Sequence, residues 1–243
     1  KGGLLSATKV PTKLSLRTGG NLDVAVNGEI QSIAGTFEYG YGGDTEFLVG
    51  QLTVAGATNL NEISGDITGT IAKEQTRGEL TIVEGGSVYG RLNGPNDLKL
   101  TGGDFGYRYS DFLTGTISIH GSMDFSSDAG PDFTGGATGT LSRDLDVGAG
   151  FSLKTGSAVE THFTNNVADK ASGVLGFGWQ DKLVGQIDVA QGASNFQSIT
   201  GDAQAALKSD IQLGSLRLKA GSALQSHFES NAPTTLEGAI GAG

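Results

Sequence analysis

GSAVETHFTNN, residues 156–166, returns at residues 221–231 as GSALQSHFESN, with six of the eleven positions identical. The likeness extends outward. FSLKTGSAVETHF (151–163) aligns with LRLKAGSALQSHF (216–228) and with LSLRTGGNLDVAV (14–26). After it come AGTFEYGY (34–41), GGDFGYRY (102–109), SGVLGFGW (172–179) and EGAIGAG (237–243), so that Phe37, Phe105, Leu175 and Ile240 recur at intervals of 68, 70 and 65 residues. Two further segments keep the order, GQLTVA, GTISIH and GQIDVA, then ISGDITGTI, FTGGATGTL and ITGDAQAAL. A repeat of this length is one supersecondary block that buries its apolar face against its neighbours. The chain divides into an N-terminal segment 1–12, suited to donate or close a strand, then repeats at 13–77, 78–143 and 144–210, and a partial fourth at 211–243.

Each block reads as strand. In ISGDITGTI, Ile63, Gly65, Ile67, Gly69 and Ile71 fall on one face, and Ser64, Asp66, Thr68 and Thr70 on the other, the period of two that marks a half-buried strand. GG, NG and GPN signals punctuate these runs, and no window sustains helical spacing. The spacing predicts an all-β antiparallel meander of about three and a half repeats, closed as a barrel or stacked as a sandwich, because exposed sheet edges must be hidden. Glycines on the apolar face, Gly65 and Gly69 among them, predict sharp curvature or close approach of a large side chain.

Composition removes several classes of function. With 26 acidic against 16 basic residues the net charge is −10, whereas a nucleic-acid partner needs a cationic footprint, so none is expected. There is no cysteine, hence no disulfide, thiolate metal site or cysteine nucleophile. No apolar run spans a bilayer as a helix and the opening residues lack a signal-peptide core, so an export signal or membrane anchor is expected outside these residues. Neither a GxSxG elbow, an HExxH pair nor a P-loop occurs, and the chain is read as non-catalytic and without a cofactor.

Three groups of side chains are candidates for binding. Phe37, Tyr39, Tyr41, Phe105, Tyr107, Tyr109, Leu175, Phe177 and Trp179 share one face of their strands, as a stacking platform for a ligand or partner or as core opposite the glycines. His162 and His227 occupy equivalent repeat positions and, with His120, offer imidazoles to a haem or metal; their equivalence also fits a packing or edge feature. Asp124, Asp128 and Asp132 fall in one loop, where carboxylates suit calcium, but the spacing and glycine placement of a calcium loop are absent and the segment is read as a solvated acidic turn.

SVYGRLNGPNDLKLTGGDFGY (87–107) resembles the signature of the β-barrel domains of transferrin-binding-protein-like bacterial surface lipoproteins, through Gly94, Pro95, Asn96, Gly102, Gly103 and Phe105; Asp97 and Lys99 depart from it. The resemblance implies an antiparallel barrel at a bacterial surface that binds partners through its loops. Three functions are therefore expected in order: a non-catalytic extracellular or cell-surface subunit acting through an extended protein–protein interface, including self-association through β edges; a surface receptor capturing a host iron protein or haem; and an outer-membrane barrel.

Overall fold

The computed structural model describes residues 13–42, 46–124, 133–190 and 196–243. With about 70% of the described residues in strands and none of them in a helix, it is all-β. The strands are β1 (Leu14–Asn27), β2 (Glu29–Tyr41), β3 (Leu48–Ala57), β4 (Ser64–Ile71), β5 (Gln75–Arg77), β6 (Leu80–Asn93) and β7 (Leu98–Tyr109). There follow β8 (Leu113–Asp124), β9 (Gly135–Leu141), β10 (Leu145–Gly148), β11 (Phe151–Leu153), β12 (Ala158–Thr164), β13 (Val167–Trp179) and β14 (Leu183–Val189). The last are β15 (Gly201–Leu207), β16 (Ile211–Leu213), β17 (Leu216–Leu218), β18 (Ala223–Glu229), β19 (Ala232–Pro233) and β20 (Glu237–Ala239).

Eighteen strands form one antiparallel sheet, with β16 and β17 as a separate ladder. Successive long strands pair as a meander, β1 with β2, β2 with β3, β3 with β4 and β4 with β6, then again from β12 through β13, β14 and β15 to β18 and β20. Among the described residues the sheet does not close as the barrel that patterning and family resemblance both allowed. Among the described residues β1 pairs with β2, and β20 with β18, leaving one edge of each without a ladder.

Turn chemistry sets these registers. Ser110–Asp111, Asn165–Asn166, Gln180–Asp181 and Ser230–Asn231 all have positive φ, between 46° and 69°, as a two-residue type I′ turn requires of both central residues. Tyr109 C=O accepts the Phe112 N–H at 3.1 Å, and Trp179 C=O the Lys182 N–H at 2.9 Å, closing two of them.

The chain divides into two compact units, residues 1–107 with 116–135, and residues 108–115 with 136–243. In the second, Phe177 of β13 and Phe228 of β18 have ring centroids 5.2 Å apart, and Phe151 of β11 lies 5.6 and 5.1 Å from them. Two strands stand between β13 and β18 in the ladder, and at about 4.8 Å per strand a flat sheet would hold them roughly 14 Å apart. The sheet therefore curls until its apolar face closes on itself. The first unit has a core of its own, containing Tyr39, Leu48, Leu52, Leu100 and Phe105 at 0–1% exposure.

Glycine permits the curl in two ways. A Cβ on Gly69 would overlap the Tyr39 hydroxyl, so here the large side chain does fill the glycine's place. A Cβ on Gly65 would instead meet the Thr53 carbonyl of the next strand, a case of close backbone approach.

Candidate interaction edges and a polar groove

The aromatic row faces inward. Phe37, Tyr39, Tyr41, Phe105, Tyr107, Leu175 and Phe177 are buried, and Tyr109 and Trp179 half-buried. Burial pushes the phenols of Tyr39 and Tyr107 well above the usual tyrosine range. Tyr109 is held edge-on by Phe112 and Phe163 at 5.6 and 5.4 Å. As placed, these rings fill the space under the curled sheet, and a ligand would have to uncover them to stack.

Gly94, Pro95 and Asn96 form the turn from β6 to β7. Asn93 N–H donates to Asp97 C=O at 2.8 Å, Gly94 N–H to Ile63 C=O at 3.0 Å, and Gly94 takes φ of 106°. Tyr89 covers Gly102, where any Cβ would overlap its phenol ring, and Gly103 has φ of 149° against Ser87 and Val88. The family-like residues thus have local work in a turn and beneath an aromatic ring.

The two equivalent histidines find carboxylates on different strands. His162 Nδ1 lies 3.1 Å from Asp169 of β13, and His227 Nδ1 lies 2.7 Å from Asp202 of β15. Nothing is described of the side chains of His120 and Asp124, and Asp128 and Asp132 lie outside the described residues. Among the described residues no three His, Asp or Glu side chains converge as metal ligands.

One feature escaped the sequence reading. On the outer face of β14, β15, β18 and β20 a groove of about 590 Å³ is lined by amides and carboxylates. Register builds it: Gln186 stands opposite Gln204, Gln204 opposite Gln225 and Gln225 opposite Glu237, while the next row runs from Asp188 to Asp202 to His227. The period-two polar positions were visible in each strand, but their alignment across four strands depends on turn lengths.

The sheet edges are the other candidates. In β1, Leu22, Val24 and Val26 alternate along one face and are 41%, 41% and 63% exposed. Val24 stands opposite Ile33 of β2, which is 2% exposed, so this row continues the core face beyond the core. At the other end, every residue of β20 is exposed. No family profile, curated protein or solved structure matches the chain.

Proposed function

We propose that this protein is a non-catalytic β-repeat subunit, acting outside the cell or at a bacterial cell surface, that works through protein–protein contacts made along its sheet edges. The exposed apolar row Leu22, Val24 and Val26 on β1 carries this reading. An edge strand presents unpaired N–H and C=O groups, and natural sheets protect such edges with charge, proline or bulges. The β1 register does shift, between Arg17 and Asn21 and again between Ala25 and Val26, yet Asn21 to Ala25 pair with Thr36 to Ser32 without a break. Strand addition there joins a main-chain ladder to an apolar side-chain row.

Light scattering after size exclusion across a concentration series tests the reading. The chain should exceed its 24.8 kDa mass as concentration rises, and V24K/V26K, changed at exposed positions, should remain at that mass. A monomer at every concentration that also captures no partner through β1 overturns it.

A further inference from the structure

Asn-Gly occurs twice in the chain, at 27–28 and at 93–94. Both pairs serve turns, the first between β1 and β2 and the second between β6 and β7, and both asparagines are exposed. This dipeptide carries a chemistry of its own, because glycine leaves the main-chain nitrogen after the asparagine unshielded by a side chain. Having lost its proton to solvent, that nitrogen can attack the side-chain amide carbon of the asparagine before it. A bond forms between the glycine nitrogen and Cγ, the side-chain nitrogen takes up a proton and leaves as ammonia, and water then opens the cyclic imide at either carbonyl. Opening at one carbonyl gives aspartate. Opening at the other leaves the main chain running through the side-chain carbon, as isoaspartate.

Exposure does not separate the two pairs, but hydrogen bonding does. Gly94 N–H donates to Ile63 C=O at 3.0 Å, and Asn93 N–H to Asp97 C=O at 2.8 Å. The Asn93 carboxamide is held as well, its Oδ1 accepting from Arg91 Nε at 3.2 Å, while Arg91 Nη1 donates to Asp66 of β4 at 3.1 Å. Attack at this pair must first release the glycine nitrogen and the carboxamide, beside the pairing of Asn93 with Ser64. At the other pair nothing has to be released. Among the described residues neither the Gly28 N–H nor the Asn27 carboxamide has a hydrogen-bond partner. A Cβ built on Gly28, which has φ of 78°, would meet nothing within 4 Å, so the hairpin tip has room to turn the carboxamide onto the nitrogen.

We propose that Asn27 is a site of spontaneous modification in the folded protein, converting through the cyclic imide to isoaspartate and aspartate, while Asn93 keeps its amide. The reaction consumes only water and releases only ammonia, so it needs no enzyme and no cofactor. Its position gives it a structural effect. Asn27 pairs with Glu29 across the tip of the hairpin, and Val26 with Ile30. Isoaspartate adds a carbon to the main chain at that pair and sets a carboxylate near Glu29. The new charge falls one residue from Val26, at the end of the exposed row of Leu22, Val24 and Val26.

The test is to age the full chain at mildly alkaline pH and physiological temperature, and to map its peptides by mass spectrometry with fragmentation that localises each amide-to-acid change. In the folded chain Asn27 should convert at least about ten-fold faster than Asn93. In urea the bonds at Asn93 and Gly94 are gone, and the two sites should convert within about three-fold of each other. A carboxyl methyltransferase specific for isoaspartate, given a radiolabelled methyl donor, should label the aged chain. Asn27→Gln, a change at an exposed position whose longer side chain would have to close a larger ring, should lose most of that label. An Asn27 that stays intact in the folded chain over a period that converts it in urea, an Asn93 that reacts as fast as Asn27 in the folded chain, or undiminished label in Asn27→Gln would overturn the proposal.

Discussion

The Ser157 hydroxyl accepts the Gly176 N–H at 2.9 Å while donating to Lys154 C=O at 2.6 Å, pinning the turn before β12 to the middle of β13. Ser222 and Gly241 repeat this at 2.9 Å, with Lys219 C=O accepting at 2.7 Å. Gly156 and Gly221, with φ of 83° and 86°, aim the serines inward. The stretch shared by residues 156–166 and 221–231 is thus a left-handed glycine, a buried serine clamp and an aromatic anchor, used twice.

Removing the clamp should cost unequally. Ser157→Ala leaves a half-buried Gly176 N–H without its acceptor and should lower stability by about 1–3 kcal/mol, whereas Ser222→Ala leaves an exposed Gly241 that water can serve and should cost less than about 1 kcal/mol. Urea unfolding of both variants at neutral pH measures the difference.

Two aspartates at equivalent positions predict a pH dependence. Asp144 accepts the Thr155 N–H at 2.9 Å and the Lys154 ammonium at 2.9 Å, bonds that hold its carboxyl below the ordinary aspartate range. Asp210 accepts the Ala220 N–H at 2.8 Å, with Lys219 and Arg217 adding to the same downward shift. A lowered carboxylate contributes stability above its unfolded pKa and loses it as pH falls through the folded one. D144N/D210N should therefore have a lower urea midpoint than the parent at pH 7, and that gap should shrink between about pH 4 and about pH 2. A gap that is constant with pH would contradict the role assigned to these carboxylates.

Glycine substitutions should separate two kinds of glycine. A Cβ on Gly185 would overlap the Gln204 carbonyl of the neighbouring strand, backbone that cannot yield, and Gly185→Ala should destabilise by about 1–3 kcal/mol. Gly136 meets nothing within 4 Å; Gly136→Ala should be neutral or stabilising by about 0.5 kcal/mol. Thermal midpoints of the pair provide the comparison.

Asn231 should be among the costliest polar positions. Its side chain accepts the Ile199 N–H at 2.7 Å and donates to Val147 and Gln197 carbonyls at 3.1 and 2.9 Å, all from a residue with φ of 69°. Asn231→Ala loses three bonds and strains the turn, with an expected loss of about 3 kcal/mol or more. Asn231→Asp keeps the acceptor but sets a carboxylate against two carbonyls, and should also unfold at lower urea than the parent.

Much of the fold was legible because strand alternation is written in single segments. Ile63, Ile67 and Ile71 are buried as their spacing requires, at 2–3% exposure. The same local signal could not separate a covered strand from an uncovered one: Leu22, Val24 and Val26 alternate as a buried strand does, yet lie open. Nor could it show the groove, which needs Gln186, Gln204, Gln225 and Glu237 brought into one cross-strand row. Barrel closure was equally beyond reach, since pairing of the first and last strands is written in neither strand alone.

Two-residue turns with both central φ values positive also shape how the molecule assembles and opens. Because each long strand pairs with the next long strand along the chain, each such ladder closes a loop no longer than two strands and their connection, a lower contact order than end-to-end closure would need. Local pairing has a counterpart in the native state. With one ladder among the described residues, β1 should open at low free energy, and amide exchange should slow from it toward the interior of its unit.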